Sequence, residues 1–289
     1  MLPDPNPPNK FLVHAEWYTN VLTSLRSGNF PASFAPKPSP WFPQESERCI
    51  EVPWALSRYR GQKSILEIGL SLADITLVSA QLALKKIGNA DLHALDIVDI
   101  ERVLNRFSNL GVDVRTMYRF ALGDVRNTPY ADNSFDLIFL ISTIEHVGFD
   151  EFEPNVYADT VFKRPEQFPS VFPIYEQSRE DRKVLKELKR ILAPRGSILL
   201  TVPMGKGGII AGKDSKQRWG FSKEYTSQEL TSLLQESGLS VVDQRFFCNY
   251  DTHGWVEKPT PQDVEQGTGH RKNHGEGVAC AELMKEESM

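Results

Sequence analysis

Short apolar segments alternate with amphipathic segments from residue 64 to the end of the chain. The apolar segments are bounded by glycine or polar residues, which is typical of strands, and the segments between them have helical spacing. The predicted strands are SILEIG, DLHALDI, RFALGDV, SFDLIFLIST, SILLTVP, LSVVDQRFF and GVACAELMK. Strands that alternate with helices form parallel sheets covered on both faces. The pattern therefore predicts an α/β fold with a doubly wound, mainly parallel, seven-stranded sheet that ends in an antiparallel hairpin.

Residues 1–60 do not follow this alternation. They contain two segments with helical spacing, FLVHAEWYTNVLTSLRSGNF and SERCIEVPWALSRY, separated by a proline-rich connection. We therefore expect an N-terminal helical addition over residues 1–60 and one large domain over residues 61–289. Two insertions interrupt that domain. The aromatic and proline-rich residues 149–178 are predicted to form a lid, and the polar residues 257–277 are predicted to form a disordered loop.

Composition narrows the possible partners. The chain has 289 residues, a net charge of −5 and no basic cluster, so we expect no nucleic-acid partner, because neutralising phosphates requires clustered Lys and Arg. No apolar run is long enough for a membrane span, so we expect no membrane partner. We expect no metal site either, because the three cysteines lack ligand spacing and His270 and His274 lie in a glycine-rich segment. These features are typical of a cytoplasmic protein with reduced thiols.

Polar residues follow several of the predicted strands at their carboxyl ends, where ligands bind in open parallel sheets. Gly69 follows the first strand, Asp96 ends the second, Asp124 follows the third, and STIEHVG at residues 142–148 follows the fourth. A glycine turn lets backbone N–H groups approach a ligand closely. An acid at the second strand end can accept hydrogen bonds from ribose hydroxyls. The arrangement suits an adenosine that carries a charged tail.

These residues, in this order, resemble the class I S-adenosylmethionine-dependent methyltransferases. The resemblance covers about residues 60–285, and it is sharpest in GDVRNTPYADNSFDLIFLISTIEHVG. It implies a Rossmann-like methyltransferase fold, S-adenosylmethionine as cofactor, and methyl transfer to an O or N atom of a small-molecule acceptor. The runs IEHVG and VPMG look most like enzymes of carbohydrate or secondary-metabolite pathways. A homodimer stays open beside a monomer, because the sequence does not specify the oligomeric state.

The resemblance also implies a set of cofactor contacts. Asp96 would bind the ribose, Asp124 the adenine, and Ser142 would lie beneath the sulfonium, while a strand-end cap for the next helix is the structural alternative for both aspartates. The complete expected set is Glu67, Gly69, Leu70, Ser71, Asp96, Ile97, Asp124, Val125 and Ser142.

Two neighbouring residues are the candidates for proton transfer. His146 is the expected general base and Glu145 lies beside it in the sequence. Imidazole ionises near neutral pH, so it can take a proton from an acceptor hydroxyl or amine. The alternative for His146 is a packing role with hydrogen bonds to the backbone.

The turn after the first strand departs from the family pattern. Ser71 and Ala73 occupy positions where the family usually has a glycine and another small residue. The same run lacks GxGxxG, which argues against a nicotinamide cofactor. The substitutions motivate a second hypothesis: a methyltransferase-fold protein that has lost methyl transfer and serves as a cofactor-binding scaffold or catalyses another reaction such as cyclisation.

Overall fold

A computed structural model describes residues 23, 47–71, 73, 75–107, 113–149, 179–213, 219–250, 254–267 and 277–287. The chain divides into two compact units. Unit 1 comprises Met1–Phe139 and Ile191–Ser197, and unit 2 comprises Leu140–Arg190 and Ile198–Met289. The fourth and fifth strands each contribute residues to both units.

Unit 1 is built on parallel strands in the order β3-β2-β1-β4. The strands are β1 Ser64–Ile68, β2 Asp91–Asp96, β3 Arg119–Leu122 and β4 Phe135–Ile141. The helices are α1 Arg48–Ser57, α2 Ile75–Gly88, α3 Ile100–Phe107 and α4 Val114–Met117. Residues 65–68 of β1 are all buried, so both faces of this strand are covered, as its continuous apolar run predicts. Parallel pairing places the carboxyl ends of β1, β2 and β3 at one edge of the sheet.

Unit 2 is largely antiparallel. Its strands are β5 Leu192–Pro203, β6 Gly208–Lys213, β7 Trp219–Glu224, β8 Ser240–Tyr250, β9 Gly254–Lys258 and β10 Gly277–Met284. The order β5-β10-β8-β9 contains antiparallel pairs of β8 with β10 and with β9, and β6 pairs with β7 in a separate hairpin. The helices are α5 Glu180–Ile191, the 3₁₀ helix Ile144–His146, α6 Ser227–Ser237 and α7 Pro261–Gly267.

Helix α6 shows how local sequence fixes an element of unit 2. The Thr226 side chain accepts a hydrogen bond from the backbone N–H of Glu229, and the Glu229 side chain accepts one from the backbone of Thr226. Gly238 ends the helix at φ +62°, a conformation that glycine adopts at low cost.

The α/β class, the mainly parallel strands of unit 1 and the antiparallel pairing of β8 with β10 confirm the predicted fold. The number of strands differs from the seven that were predicted. Strand β9 adds an eighth strand beside β8, and the β6–β7 hairpin was not predicted. Within residues 257–267 of the expected loop, the structure has the end of β9 and helix α7. The side chain of Val264 in this helix is buried, although its neighbours in the sequence are polar. The expected lid lies outside the described residues from residue 150 to residue 178.

Candidate functional site

The turn after β1 is compact without a second glycine. Gly69 has φ +81°, and its N–H donates to the carbonyl of Leu95 at 2.9 Å. Among the described residues of this turn, 69–71 and 73, Gly69 alone has a positive φ. Ser71 and Ala73 therefore adopt backbone conformations that are open to any L-residue. Their departure from the family pattern places no strain on the backbone.

Asp96, at the end of β2, stabilises this turn through hydrogen bonds. Its Oδ2 accepts a hydrogen bond from the N–H of Ser71 at 2.6 Å, and its Oδ1 accepts one from the N–H of Val98 at 2.9 Å. The residue is only 4% exposed. The contact joins residues 25 positions apart because adjacent parallel strands end at the same edge of the sheet. A carboxylate has about four acceptor positions, so Asp96 can accept these two bonds and also hydrogen bonds from ribose hydroxyls.

Leu70 lies in the interior of unit 1. It is completely buried, so it offers no surface to a ligand in this arrangement. The cofactor contact that the resemblance implies for Leu70 stays a prediction. Ser71, its neighbour, is partly exposed and stays at the surface of the turn.

Glu67 is part of a buried polar network beneath the turn. Gln81 of α2 donates from Nε2 to Oε2 of Glu67, and the hydroxyl of Tyr118 donates to Oε1 of Gln81. Burial raises the pKa of Glu67 well above its ordinary value, while Gln81 and the charge of Arg48 oppose that rise. The sequence pattern gives no signal for Gln81 or Tyr118, because their partners come from distant parts of the chain.

Two apolar side chains are exposed at neighbouring strand ends. Ile97, which follows β2, is 65% exposed, and Leu122, at the end of β3, is 59% exposed. Asp96 pairs with Leu122 in the strand register, which places Ile97 next to this pair. Val125, which also belongs to the expected set of cofactor contacts, is buried. Of Leu122 and Val125, Leu122 is therefore the residue that exposes apolar surface, and only its position on an edge strand distinguishes it in the sequence.

Asp124 forms an ion pair with Arg126. Nε of Arg126 lies 3.0 Å from Oδ1 and 2.9 Å from Oδ2, and Nη2 lies 2.6 Å from Oδ2. The backbone N–H of Arg126 also donates to Oδ1 at 2.8 Å. The hydrogen bond from the Arg126 side chain lowers the pKa of Asp124, while partial burial opposes this effect. Asp124 is thus a charged acceptor in a fixed orientation.

Ser142, Glu145 and His146 belong to unit 2. Ser142 is buried at φ +42°, and its N–H donates to Oγ1 of Thr201 at 3.0 Å and to the carbonyl of Thr201 at 3.2 Å. A positive φ at a residue other than glycine is a strained conformation of a kind that clusters at functional sites. The side chain of His146 is 39% exposed, and its Nε2 lies 3.9 Å from Oε1 of the buried Glu145. The imidazole is therefore the accessible member of the pair.

A buried cation lies on β7, the strand against which the 3₁₀ helix packs. Nζ of Lys223 lies 3.2 Å from Oε1 of Glu229 and 3.6 Å from Oδ2 of Asp181, and it stands 4.7 Å from the centre of the Tyr225 ring. The Tyr225 hydroxyl donates to the same Asp181 oxygen at 3.3 Å. These contacts connect β7 to α5 and α6, and no sequence pattern distinguishes any of the four residues.

Within the described ranges, no group of three or more His, Cys, Asp or Glu side chains could hold a metal ion. None of the helices in the described part of the chain combines the length and apolar character needed to span a bilayer. His270 and His274 lie outside the described residues.

Comparison with known proteins finds a match to a methyltransferase domain and several similar solved structures. Residues 76–158 match a family model for a methyltransferase domain. The solved structure of the [4+2]-cyclase SpnF has a TM-score of 0.52 at 12% identity, with 98% of each chain covered. A SAM-dependent methyltransferase from Methanosarcina mazei has a TM-score of 0.48 at 15% identity and covers 80% of this chain and 95% of its own.

A third structure is that of 1,6-didemethyltoxoflavin-N1-methyltransferase from Burkholderia thailandensis, with bound 1,6-didemethyltoxoflavin and S-adenosylhomocysteine. It has a TM-score of 0.43 at 15% identity and covers 99% of this chain and 94% of its own. A search among curated proteins finds no match. Residues 76–158 therefore match a methyltransferase domain, and the described residues have a Rossmann-like methyltransferase fold.

Proposed function

We propose that this protein transfers a methyl group from S-adenosylmethionine to an O or N atom of a small molecule. The observation that carries the proposal is the hydrogen bond from Ser71 to Asp96, which keeps the turn after β1 compact without a second glycine. Ser71 thereby stays partly exposed beside an acidic strand end, which is what an adenosine with a charged tail requires.

The residues of unit 1 fit the adenosine of this cofactor. Ile97 and Leu122 present apolar surface of the kind that packs against an adenine ring. Asp124 supplies a charged acceptor for the adenine amino group, and Asp96 supplies acceptor capacity for the ribose hydroxyls. Gly69 and Ser71 would approach the methionine part of the cofactor through their backbone. Glu67, beneath the turn, would line the same part of the cofactor.

The bound cofactor supplies an electrophilic methyl group on a sulfonium, and the chain has to orient the acceptor, exclude water and remove a proton. We assign proton removal to His146, because its imidazole is accessible while Glu145 beside it is buried. The carboxylate of Glu145 would then orient and stabilise the imidazolium as it forms. Ser142 would fix the backbone beneath the sulfonium through its two bonds to Thr201.

A small-molecule acceptor is favoured by charge and by the sequence resemblance. The net charge of −5 disfavours polyanionic acceptors such as nucleic acids. The resemblance of IEHVG and VPMG favours an acceptor of the carbohydrate or secondary-metabolite type.

Calorimetry with S-adenosylmethionine and S-adenosylhomocysteine tests the proposal at the level of the cofactor. Binding of both is expected, and absence of binding at millimolar concentration refutes the proposal. A screen of hydroxyl- and amine-bearing small molecules for release of S-adenosylhomocysteine then identifies the acceptor.

His146→Ala is expected to reduce turnover by about 10²- to 10⁴-fold while leaving cofactor affinity unchanged. Loss of binding without a specific loss of turnover contradicts the role of His146 as a base.

The second candidate function is that of a protein with this fold that has lost methyl transfer. The observation that favours it is the complete burial of Leu70, which reduces the surface that the turn offers to a ligand. The likeness to SpnF, whose name is that of a cyclase, shows the fold alone but is compatible with this candidate. Such a protein would bind the cofactor without ever releasing S-adenosylhomocysteine, whatever acceptor is supplied.

A further inference from the structure

The ion pair between Asp124 and Arg126 occupies most of the acceptor capacity of one carboxylate. Nε of Arg126 is shared between the two carboxylate oxygens, Nη2 donates to Oδ2, and the backbone N–H donates to Oδ1. Three N–H groups therefore engage a carboxylate that has about four acceptor positions. About one position remains, which matches a single N–H of an adenine amino group.

The geometry also fixes where that remaining position points. A guanidinium that donates through Nε and Nη2 holds a carboxylate in one plane, and the backbone bond adds a third anchor. The side chain of Asp124 is partly exposed, whereas that of Arg126 is more deeply buried. Rotation of the carboxylate would break all of these bonds, so its orientation is set before any ligand arrives.

We propose that Arg126 is a positioning residue for the cofactor: it holds the Asp124 carboxylate so that the remaining acceptor position recognises the amino group of adenine. The inference rests on the proposed function, and it assigns to Arg126 a part in nucleobase selectivity. The opposite role is a latch, in which Arg126 competes with adenine for Asp124. The two roles predict opposite signs for the effect of removing the guanidinium.

Removal of Arg126 also has a consequence for pH dependence. Asp124 accepts hydrogen bonds through its charged form, so cofactor binding is lost as the pH falls through the pKa of Asp124. Arg126 lowers that pKa and burial opposes the effect, and no other described residue contributes to the shift. Without Arg126 the pKa is higher, so the loss of affinity begins at a higher pH than in the wild type.

The test compares Arg126→Met with Arg126→Lys and with Arg119→Met. Arg119 lies at the start of the same strand as Leu122, its side chain is 73% exposed, and its Nε is 3.1 Å from Oδ1 of Asp91. Its substitution removes the same charge from a surface ion pair. Calorimetry measures the affinity for S-adenosylhomocysteine and for S-inosylhomocysteine, which has an oxygen in place of the amino group, from about pH 7 down to about pH 4, near the ordinary pKa of aspartate.

Arg126→Met is expected to weaken S-adenosylhomocysteine binding on the order of tenfold and to reduce the preference over S-inosylhomocysteine. Arg126→Lys should recover part of the affinity, and Arg119→Met should behave as the wild type. In an Asp124→Asn background, Arg126→Met should have little further effect, because Arg126 acts through Asp124. A purely structural role would change neither the preference nor the pH at which affinity is lost.

The other outcomes separate a failure of the positioning role of Arg126 from a failure of the proposed function. Tighter binding by Arg126→Met establishes the latch, and unchanged binding or an unchanged nucleobase preference refutes positioning, in both cases with the proposed function intact. If the wild type binds neither compound, the proposed function fails and this inference fails with it.

Discussion

Substitution of Asp96 by alanine should loosen the turn after β1 and destabilise unit 1. The change removes both hydrogen bonds that the carboxylate accepts, from Ser71 and from Val98. A hydrogen bond to a charged group contributes about 1.5–3 kcal/mol, and the lower value applies because both donors are only part-buried. The expected loss is therefore about 3 kcal/mol, or about 1 M in the urea midpoint if the slope is near 3 kcal/mol per M. Asp96→Asn should lose about half as much, because its amide retains one acceptor oxygen.

Urea unfolding followed by circular dichroism measures this loss, and calorimetry with S-adenosylhomocysteine measures the accompanying loss of affinity. The matched control is Asp91→Ala at the other end of β2, whose half-exposed side chain lies 3.1 Å from Arg119. A surface ion pair contributes at most about 1 kcal/mol, so the control should scarcely move the midpoint. If Asp96→Ala shifts the midpoint no more than Asp91→Ala does and leaves the affinity unchanged, Asp96 does not fasten the turn.

Three further substitutions probe the two units. Gly69→Ala should lower the free energy of unfolding by about 1–2 kcal/mol and weaken cofactor binding, because φ +81° is disfavoured for an L-residue. Equal urea midpoints for this variant and the wild type would contradict this. Glu67→Gln keeps the bond from Gln81 and removes the ionisable group. Because the folded pKa of Glu67 is raised, the stability that its protonated form contributes is present at low pH and is lost as the pH rises through that raised value. The urea midpoint of the variant should therefore decline less than that of the wild type between acid and alkaline pH, and parallel curves would refute this linkage. Lys223→Met should cost about 3 kcal/mol in urea unfolding, because it removes the buried cation that lies within 4 Å of both Asp181 and Glu229. Adding Asp181→Asn should restore part of the loss, and no restoration would argue against the pair of Lys223 with Asp181.

The chemistry at the strand ends could be predicted only in part. The positions of Asp96, Asp124 and Ser142 along the chain follow from the strand pattern, because ligand-binding residues follow strands in this fold. Their partners do not follow from it. The bond from Ser71 to Asp96 and the network of Glu67, Gln81 and Tyr118 depend on atoms that approach within hydrogen-bonding distance only after distant segments pack.

Exposure at the site was likewise decided by packing. Leu70 and Ile97 are both apolar residues next to a strand end, yet Leu70 is completely buried and Ile97 is 65% exposed. Hydrophobicity alone does not separate them, because it measures the tendency to leave water and not the direction of a side chain in a turn.

The sequence by itself determined the α/β class and the mainly parallel strands, because apolar periodicity and the order of the strand-forming segments are properties of the chain. Only the tertiary structure decided that Arg126 engages Asp124, that Lys223 lies buried between acids, and that β9 and α7 occupy an expected loop. These features depend on electrostatic and packing contacts that act over a few ångströms in space. Periodicity along the chain carries no information about such distances.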